Sequence, residues 1–305
     1  MKIWLADEAG FSEPMINRAS VWVVLALVFT VVGCVAVPVS DQLIVSSGER
    51  APRLEDASCS RVWQAYPAGS AEAPALNPAG FNLMAWNVFK QREGHWSEDY
   101  LRLSRGQDIL LLQEARLTPS LRALLGQSGY RWSMTHAFDY QGTANGVLTA
   151  GRSPASGTCL SRRTEPLIRI PKSALLTRYP LEGSSEALLV ANLHGINFTL
   201  GTAPYRAQLE ALEWAMDGHT GPMILAGDFN DWSTGRSAIV SLVAQRLDLV
   251  PVQFTGDARS RYWGRPVDHV FYRGLEVVQA RTVKVTSSDH SPVLVRFRLP
   301  SYPQE

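Results

Sequence analysis

MILAGDFN, from Met223 to Asn230, is the stretch around which the rest of the sequence falls into order. Four apolar residues, Met223 to Ala226, read as a short strand buried on both faces. Gly227 then lets the backbone pass close to a neighbour before two oxygen-bearing side chains appear. Asp228 and Asn230 are two residues apart, so in extended chain they share one side while Phe229 points back into the core. A carboxylate beside a carboxamide suits a hard cation or a water held for attack. The same letters also spell an ordinary polar turn closing a core strand, because Gly, Asp and Asn are turn residues. What separates the two readings is whether other apolar runs end in the same way.

Several do. FNLMAWNVFK carries Asn87 inside an apolar and aromatic run, and a buried Asn needs partners. DILLLQEAR places Gln113 and Glu114 after the aliphatics. A carboxylate at the mouth of a buried strand is costly unless solvated, paired or metal-bound, which makes Glu114 the strongest single metal-ligand candidate. LLVANLHGINF ends a strand on His194, whose imidazole suits a phosphate oxygen or a proton transfer near neutral pH. GRPVDHVFYRG puts Asp268 and His269 at a strand start, and TSSDHSPVLVRF puts Asp289 and His290 before the last strand. Adjacent side chains in extended chain point opposite ways, so at most one of each pair need face a common site unless a turn intervenes, as the turn-rich stretch Ser287 to Pro292 allows. Glu165 precedes a run in which Arg169 and Lys172 alternate with apolar residues. Taken singly, Asn87, Glu165 and His194 each also have an ordinary structural reading.

The chain of 305 residues, with net charge +1 and 46% hydrophobic residues, has room for a large core and one or two domains. No charge excess imposes a nucleic-acid or membrane-surface partner. Residues 1–20 form a flank, and the run VWVVLALVFTVVGCVAVPV over 21–39 is free of charge. At about 1.5 Å per helical residue it nearly crosses a bilayer's hydrocarbon core. Asp7, Glu8 and Glu13 beside Lys2 and Arg18 make a poor flank for a cleaved signal peptide, so an uncleaved hydrophobic anchor helix is favoured. The tetrapeptide ending at Cys34 resembles a bacterial lipobox, and a buried helix or a mis-assigned start is the remaining reading. Arg18 close to the span slightly favours the amino terminus inside, with the body periplasmic or otherwise extracytoplasmic; a cytoplasmic body is the alternative. With Cys34 set aside, Cys59 and Cys159 form one disulfide in an oxidising compartment, or stay as two thiols.

Residues 40–80, rich in Ala, Pro, Ser and Gly, read as a tether, and the folded body spans 81–305. Strands are predicted over 81–89, 108–113, 146–150, 166–171, 174–179, 187–193, 223–226, 268–272 and 292–299. Helices are predicted over 97–105, 118–126, 203–216 and 236–245, with Thr118 as N-cap before Pro119. Many strands and few helices in mixed order point to two packed sheets with helices outside. The basic and aromatic stretch TGDARSRYWGRP, Thr255 to Pro266, reads either as a loop that grips a phosphorylated substrate or as a solvated hairpin.

Taken in order, WNVFKQ, LLQEA, TEPLIRI, NLHGINF, GDFNDW, VDHVFYRG and SDHSPVL resemble the endonuclease/exonuclease/phosphatase superfamily over residues 81–299. That is the fold of pancreatic DNase I, abasic-site endonucleases, inositol-polyphosphate phosphatases and neutral sphingomyelinases. KSALLTRYPL and NFTLG further resemble a bacterial branch of it. The resemblance implies an α+β fold, a four-layer α/β/β/α sandwich of two mostly antiparallel mixed sheets. It implies that Asn87, Glu114 and Asp289 organise one Mg²⁺ or Mn²⁺, with Asp228 and Asn230 holding the attacking water and the phosphate. It also implies that His194 and His290 flank the scissile phosphate, His194 oriented by Glu165 and His290 by Asp268. His269 is assigned no role. The expected activity is metal-dependent phosphoester hydrolysis, most directly of a nucleic-acid phosphodiester because of the aromatic and arginine-rich loop. A phospholipid or inositol-phosphate substrate is the alternative, and a silent phosphate-binding scaffold the alternative of another class. No obligate protein partner is evident, and a membrane is expected as a partner through 21–39.

Overall fold

Both faces of the central strands are covered, which is why their sequences run apolar instead of alternating. In Met223–Asp228, Ile224 and Ala226 face a core between two sheets, whereas Met223 and Leu225 face the opposite way, under helices. Phe81–Asn87 divides in the same manner, Leu83 and Ala85 inward, Met84 and Trp86 outward. The computed structural model describes residues 35–47, 50–59 and 74–300.

In chain order the strands are β1 (Val35–Ala36), β2 (Gln42–Ser47), β3 (Arg50–Asp56), β4 (Phe81–Asn87), β5 (Ile109–Arg116) and β6 (Arg131–Thr135). There follow β7 (Phe138–Tyr140), β8 (Thr143–Gly151), β9 (Gly157–Thr164), β10 (Pro171–Pro180), β11 (Ala187–His194) and β12 (Met223–Asp228). The last are β13 (Val250–Pro251), β14 (Arg261–Tyr262), β15 (Arg265–Pro266), β16 (Asp268–Arg273), β17 (Glu276–Thr282) and β18 (Val293–Arg298). The helices are α1 (Trp96–Ser104), α2 (Pro119–Gln127), α3 (Ala203–Met216) and α4 (Thr234–Arg246). One sheet runs β17-β18-β4-β5-β8-β6-β2-β3, with β7 on β8 and β1 on β7; the other runs β13-β16-β12-β11-β10-β9. Among the described strands only β4–β5 and β11–β12 pair in parallel.

Helices α1 and α2 cover the outer face of the larger sheet, Tyr100, Leu103, Leu121 and Leu125 meeting Trp86, Leu110 and Leu112. Helices α3 and α4 cover the smaller one, Tyr205, Leu209, Ile239 and Val243 meeting Leu189, Leu193 and Leu225. The layers are therefore helix, sheet, sheet, helix, as expected. Thr118 caps α2, its hydroxyl accepting from the Leu121 N–H at 3.2 Å, with Pro119 in the first turn.

Three expectations change. Residues 40–80 are not all tether, because β2 and β3 join the larger sheet, Leu43 pairing with Thr135 of β6. Leu76 is buried between the sheets. The Pro- and Ala-rich average of the segment hid the apolar triplet Leu43, Ile44, Val45. Most of the expected anchor helix, residues 21–34, lies outside the described residues. Its end is not helical, since Val35 and Ala36 pair with Tyr140 and Asp139. Among the described residues no helix is long and apolar enough to cross a membrane. Residues 166–170 of the strand expected over 166–171 form a turn between β9 and β10, with Arg169 at φ 58°. Pro166 and Pro171 have no N–H to give to a ladder, so the strands form on either side.

Cys59 and Cys159 form a disulfide, with Cα atoms 4.9 Å apart across a sequence separation of 100. It ties the segment after β3 to β9. A cross-link closing a loop of this size contributes about 2–4 kcal/mol. The Cys59→Ser/Cys159→Ser variant is accordingly expected to unfold at a clearly lower urea midpoint; an unchanged midpoint would refute the assignment of that stability to the bridge.

Candidate active site

Strand register assembles the site. In the parallel pair β11–β12 His194 lies opposite Asp228, and across β12–β16 Asp228 lies opposite Asp268, so three polar residues form a row at one end of the smaller sheet. The larger sheet brings its own parallel pair to the same end, with Asn87 opposite Gln113. The β5–β8 ladder slips between Leu112 and Ala115, and Glu114 sits in that bulge at φ 51°. A bulge re-aims a side chain, here turning a carboxylate that would otherwise follow the strand's alternation toward the cleft. Gly227, at φ 136°, passes so close to the Leu193 carbonyl that a Cβ there would collide with it. This is the close approach that the glycine of the motif permits.

From Glu114 to His290 the groups form a chain. Glu114 Oε1 is 3.6 Å from His194 Nε2, which is 3.6 Å from Asp228 Oδ2, which is 3.8 Å from His290 Nε2. His290 Nδ1 is 2.9 Å from Asp268 Oδ2, so its ring is held from behind. Asn87 and Asn230 donate through Nδ2 to Asp228 Oδ2 at 3.0 and 3.2 Å, and the Asn230 N–H donates to Oδ1 at 3.0 Å. The strand ends at Asp228 and Asn230 is left-handed at φ 51°, so the two side chains meet through a turn rather than through extension. Phe229 is in the core beneath them.

The charges are arranged unevenly. Burial opposes ionisation of Glu114, but the neighbouring Lys90 and Lys172 ammonium groups outweigh it and hold the carboxyl below its ordinary range. Lys90 pairs directly with Glu114, and Lys172 Nζ lies 2.8 Å from His194 Nε2. Burial, reinforced by Lys172, keeps the His194 imidazole well below its ordinary range and therefore neutral. Burial also works against charge on His290, yet Asp268 and Asp228 lift it to about 10. Burial lifts Asp228 to about 6 despite His290. One imidazole is thus neutral and the other cationic, on either side of one carboxylate.

Most of the expected residues meet here, and two behave differently. Glu165 does not orient His194: its Oε1 accepts the N–H groups of Asn197 and Phe198, so it props the loop that follows the histidine. The reason is position, since the turn after β9 places the carboxylate under that loop's amides. Asp289 is exposed, accepts from Tyr262 Oη at 3.3 Å, and lines the same cleft of about 300 Å³ as Glu114, Lys90 and His194. His269 turns away, as alternation requires, to Asp231 at 2.9 Å. Lys90, Lys172 and Tyr262 are given no site role by the sequence; the local signals are a basic residue inside WNVFKQ and inside RIPKSALL and the aromatic stretch around Tyr262. Glu114 and Asp289 line the cleft with carboxylate oxygens, Asn87 sits behind them on Asp228, and the Glu114 carboxylate is held ionised, which fits a hard divalent cation.

The aromatic loop is a hairpin, β14–β15, as the solvated reading had it. Its arginines are committed internally: Arg259 and Arg261 donate to Asp257, and Arg265 to Thr234.

A UPF0294 protein of Vibrio cholerae serotype O1 is 43% identical over 219 residues, covering 72% of this chain and 78% of that protein. The fold is similar to that of an endonuclease/exonuclease/phosphatase from Beutenbergia cavernae, with TM-score 0.56, 20% identity and 72% of each chain covered. It is also similar to the human Nocturnin catalytic domain with bound sulfate, with TM-score 0.56, 17% identity, and 75% of this chain and 97% of that one covered. A family model, that of the Endonuclease/Exonuclease/phosphatase family, matches residues 84–290. Those bounds run from within β4 to His290 and enclose every side chain of the row just described, so this chain belongs to the endonuclease/exonuclease/phosphatase family and is a metal-dependent phosphoesterase.

Proposed function

We propose that the chain is a Mg²⁺-dependent phosphodiesterase, with Mn²⁺ able to substitute, acting by in-line attack of a water held at Asp228. One observation carries this reading: a single carboxylate oxygen, Asp228 Oδ2, faces imidazole nitrogens at 3.6 and 3.8 Å on two sides. Water oxygen bonds to phosphorus, the opposite P–O ester bond breaks, and the departing oxygen takes a proton. Asp228 orients the water and receives its proton. Asn87 and Asn230 fix that carboxylate by their amides. His290, kept cationic by Asp268, donates to the phosphate where negative charge develops, and His194 contributes a second polar contact steadied by Lys172. Asn87, Glu114 and Asp289 are the side chains that would hold the cation, which when bound supplies positive charge to a phosphate oxygen.

Chelation is expected to lower turnover of bis(p-nitrophenyl) phosphate by the full chain at least about a hundredfold, reversed by Mg²⁺. Glu114→Ala is expected to lower it comparably and to weaken Mn²⁺ binding measured by calorimetry. Chelator-resistant turnover that also survives Glu114→Ala would refute the metal assignment. An oxidising, extracytoplasmic location for the catalytic domain belongs to the same proposal, supported by the Cys59–Cys159 bridge. Thiol labelling of chain taken directly from cells tests it: two reactive cysteines at these positions would count against it.

A further inference from the structure

The rim of the cleft is apolar. Leu167 is 55% exposed, Ile168 45%, Phe198 52%, Leu200 84%, Tyr262 40% and Trp263 79%, six of the thirteen large hydrophobic side chains exposed among the described residues. They come from three separate segments, and each segment brings at least one of them to the same cleft. Ile168 and Phe198 line the cleft with Glu114 and His194. Leu167 and Leu200 lie beside them in the same two loops. Tyr262 reaches Asp289 across the mouth, and Trp263 packs edge-to-face against Trp232 at 4.6 Å, whose Nε1 donates to Asn197 of the cleft at 2.8 Å. Exposed apolar side chains scattered singly are ordinary, whereas a group of them beside a catalytic cleft marks an interaction surface.

Charge narrows what that surface meets. Arg169 stands exposed beside Leu167 and Ile168 without an ion pair among the described residues. Aromatic and aliphatic tips with an arginine among them suit the boundary between lipid headgroups and acyl chains. A nucleic-acid groove needs cations spaced along several phosphates. Here Lys90 and Lys172 are turned inward on Glu114 and His194, and the hairpin arginines are bonded internally. Trp232 and Trp263 would serve base stacking, but Leu167, Ile168 and Leu200 have no π face to offer. Inside the mouth the wall continues apolar through Phe89, Phe138 and Ile170, room for the hydrocarbon part of a substrate next to the phosphate.

On the phosphodiesterase reading above, we infer that the substrate is a phospholipid phosphodiester, engaged at a bilayer surface by this apolar and arginine-bearing rim. The bond changes are those already given. The full chain in detergent is compared with its Leu167→Ser/Leu200→Ser variant on vesicles of phosphatidylglycerol and phosphatidylcholine, on plasmid DNA, and on bis(p-nitrophenyl) phosphate. Turnover is the readout, not vesicle binding, because the run 21–39 is present in both proteins. Wild-type chain should hydrolyse the vesicle lipid, and the variant should lose about tenfold or more in kcat/KM on it while keeping its turnover of the soluble diester, which also reports that it folds. Wild-type turnover of DNA or of the soluble diester without lipid hydrolysis overturns the lipid inference and leaves the phosphodiesterase standing. So does a variant unimpaired on vesicles. No turnover of any of the three by wild-type chain overturns the phosphodiesterase reading, and this inference with it.

Discussion

Asp228→Asn is expected to lower kcat on a soluble phosphodiester by about three orders of magnitude, with far-UV circular dichroism unchanged. The amide keeps the size of the carboxyl and an oxygen for the Asn230 N–H, so the local fold survives. It cannot take a proton, and it presents an NH₂ where two imidazoles and two amides now converge on an anion. Asp231, three residues on, makes the comparison sharp. It is buried too, but it accepts from Ser237 and faces His269, outside the row. Asp231→Asn should leave kcat within a few-fold. Steady-state kinetics on both variants decide the matter, and a loss below about tenfold for Asp228→Asn would remove that residue from the reaction.

The second large effect falls on folding. Arg236 is 1% exposed, and its Nη1 donates to the carbonyls of Ile196 and Asn230 at 2.6 and 2.9 Å, its Nη2 to the carbonyl of Asn197 at 2.7 Å and to Thr199 Oγ1 at 3.0 Å. The guanidinium lies over Tyr205 at 4.7 Å and Trp232 at 4.5 Å. A cation in the first turn of α4 opposes the helix dipole, so its place there is set by these carbonyls and not by the helix. Arg236→Ala strands four acceptors and is expected to cost about 3–5 kcal/mol of unfolding free energy. Arg236→Lys should recover only part, because an ammonium cannot span both loops with one planar fork. Urea titration measures both, and a cost under about 1 kcal/mol for the alanine variant would show that water replaces the clamp.

The contrast between these two residues shows what sequence carries. Asp228 was legible because it closes a run buried on both faces, and such runs are contiguous in the chain: β4, β5, β11 and β12 were all visible for that reason. Arg236 only opens the predicted helix 236–245, since most of its partners are loop groups about forty residues earlier and nothing local announces them. Strands with a solvent-facing side were missed likewise. β9 reads GTCLSRRT and β17 reads EVVQART, where charges interrupt the apolar signal. Glu165 failed in a different way. Its presence was read correctly, but the role carried over from relatives assumed a contact that the turn at 166–170 redirects to backbone amides.

The order of the strands sets a timetable for the newly made protein. β18 pairs with β4, Val293 beside Ala85, so the larger sheet is closed by a segment synthesised about two hundred residues after the strand it joins. His290 lies in the loop just before β18, held there by the Trp86 indole donating to its carbonyl. When β17 has just been made, His290, eight residues further on, has not yet been added to the chain, so the row lacks its cationic histidine. The row of site side chains is therefore completed only once β18 has docked on β4.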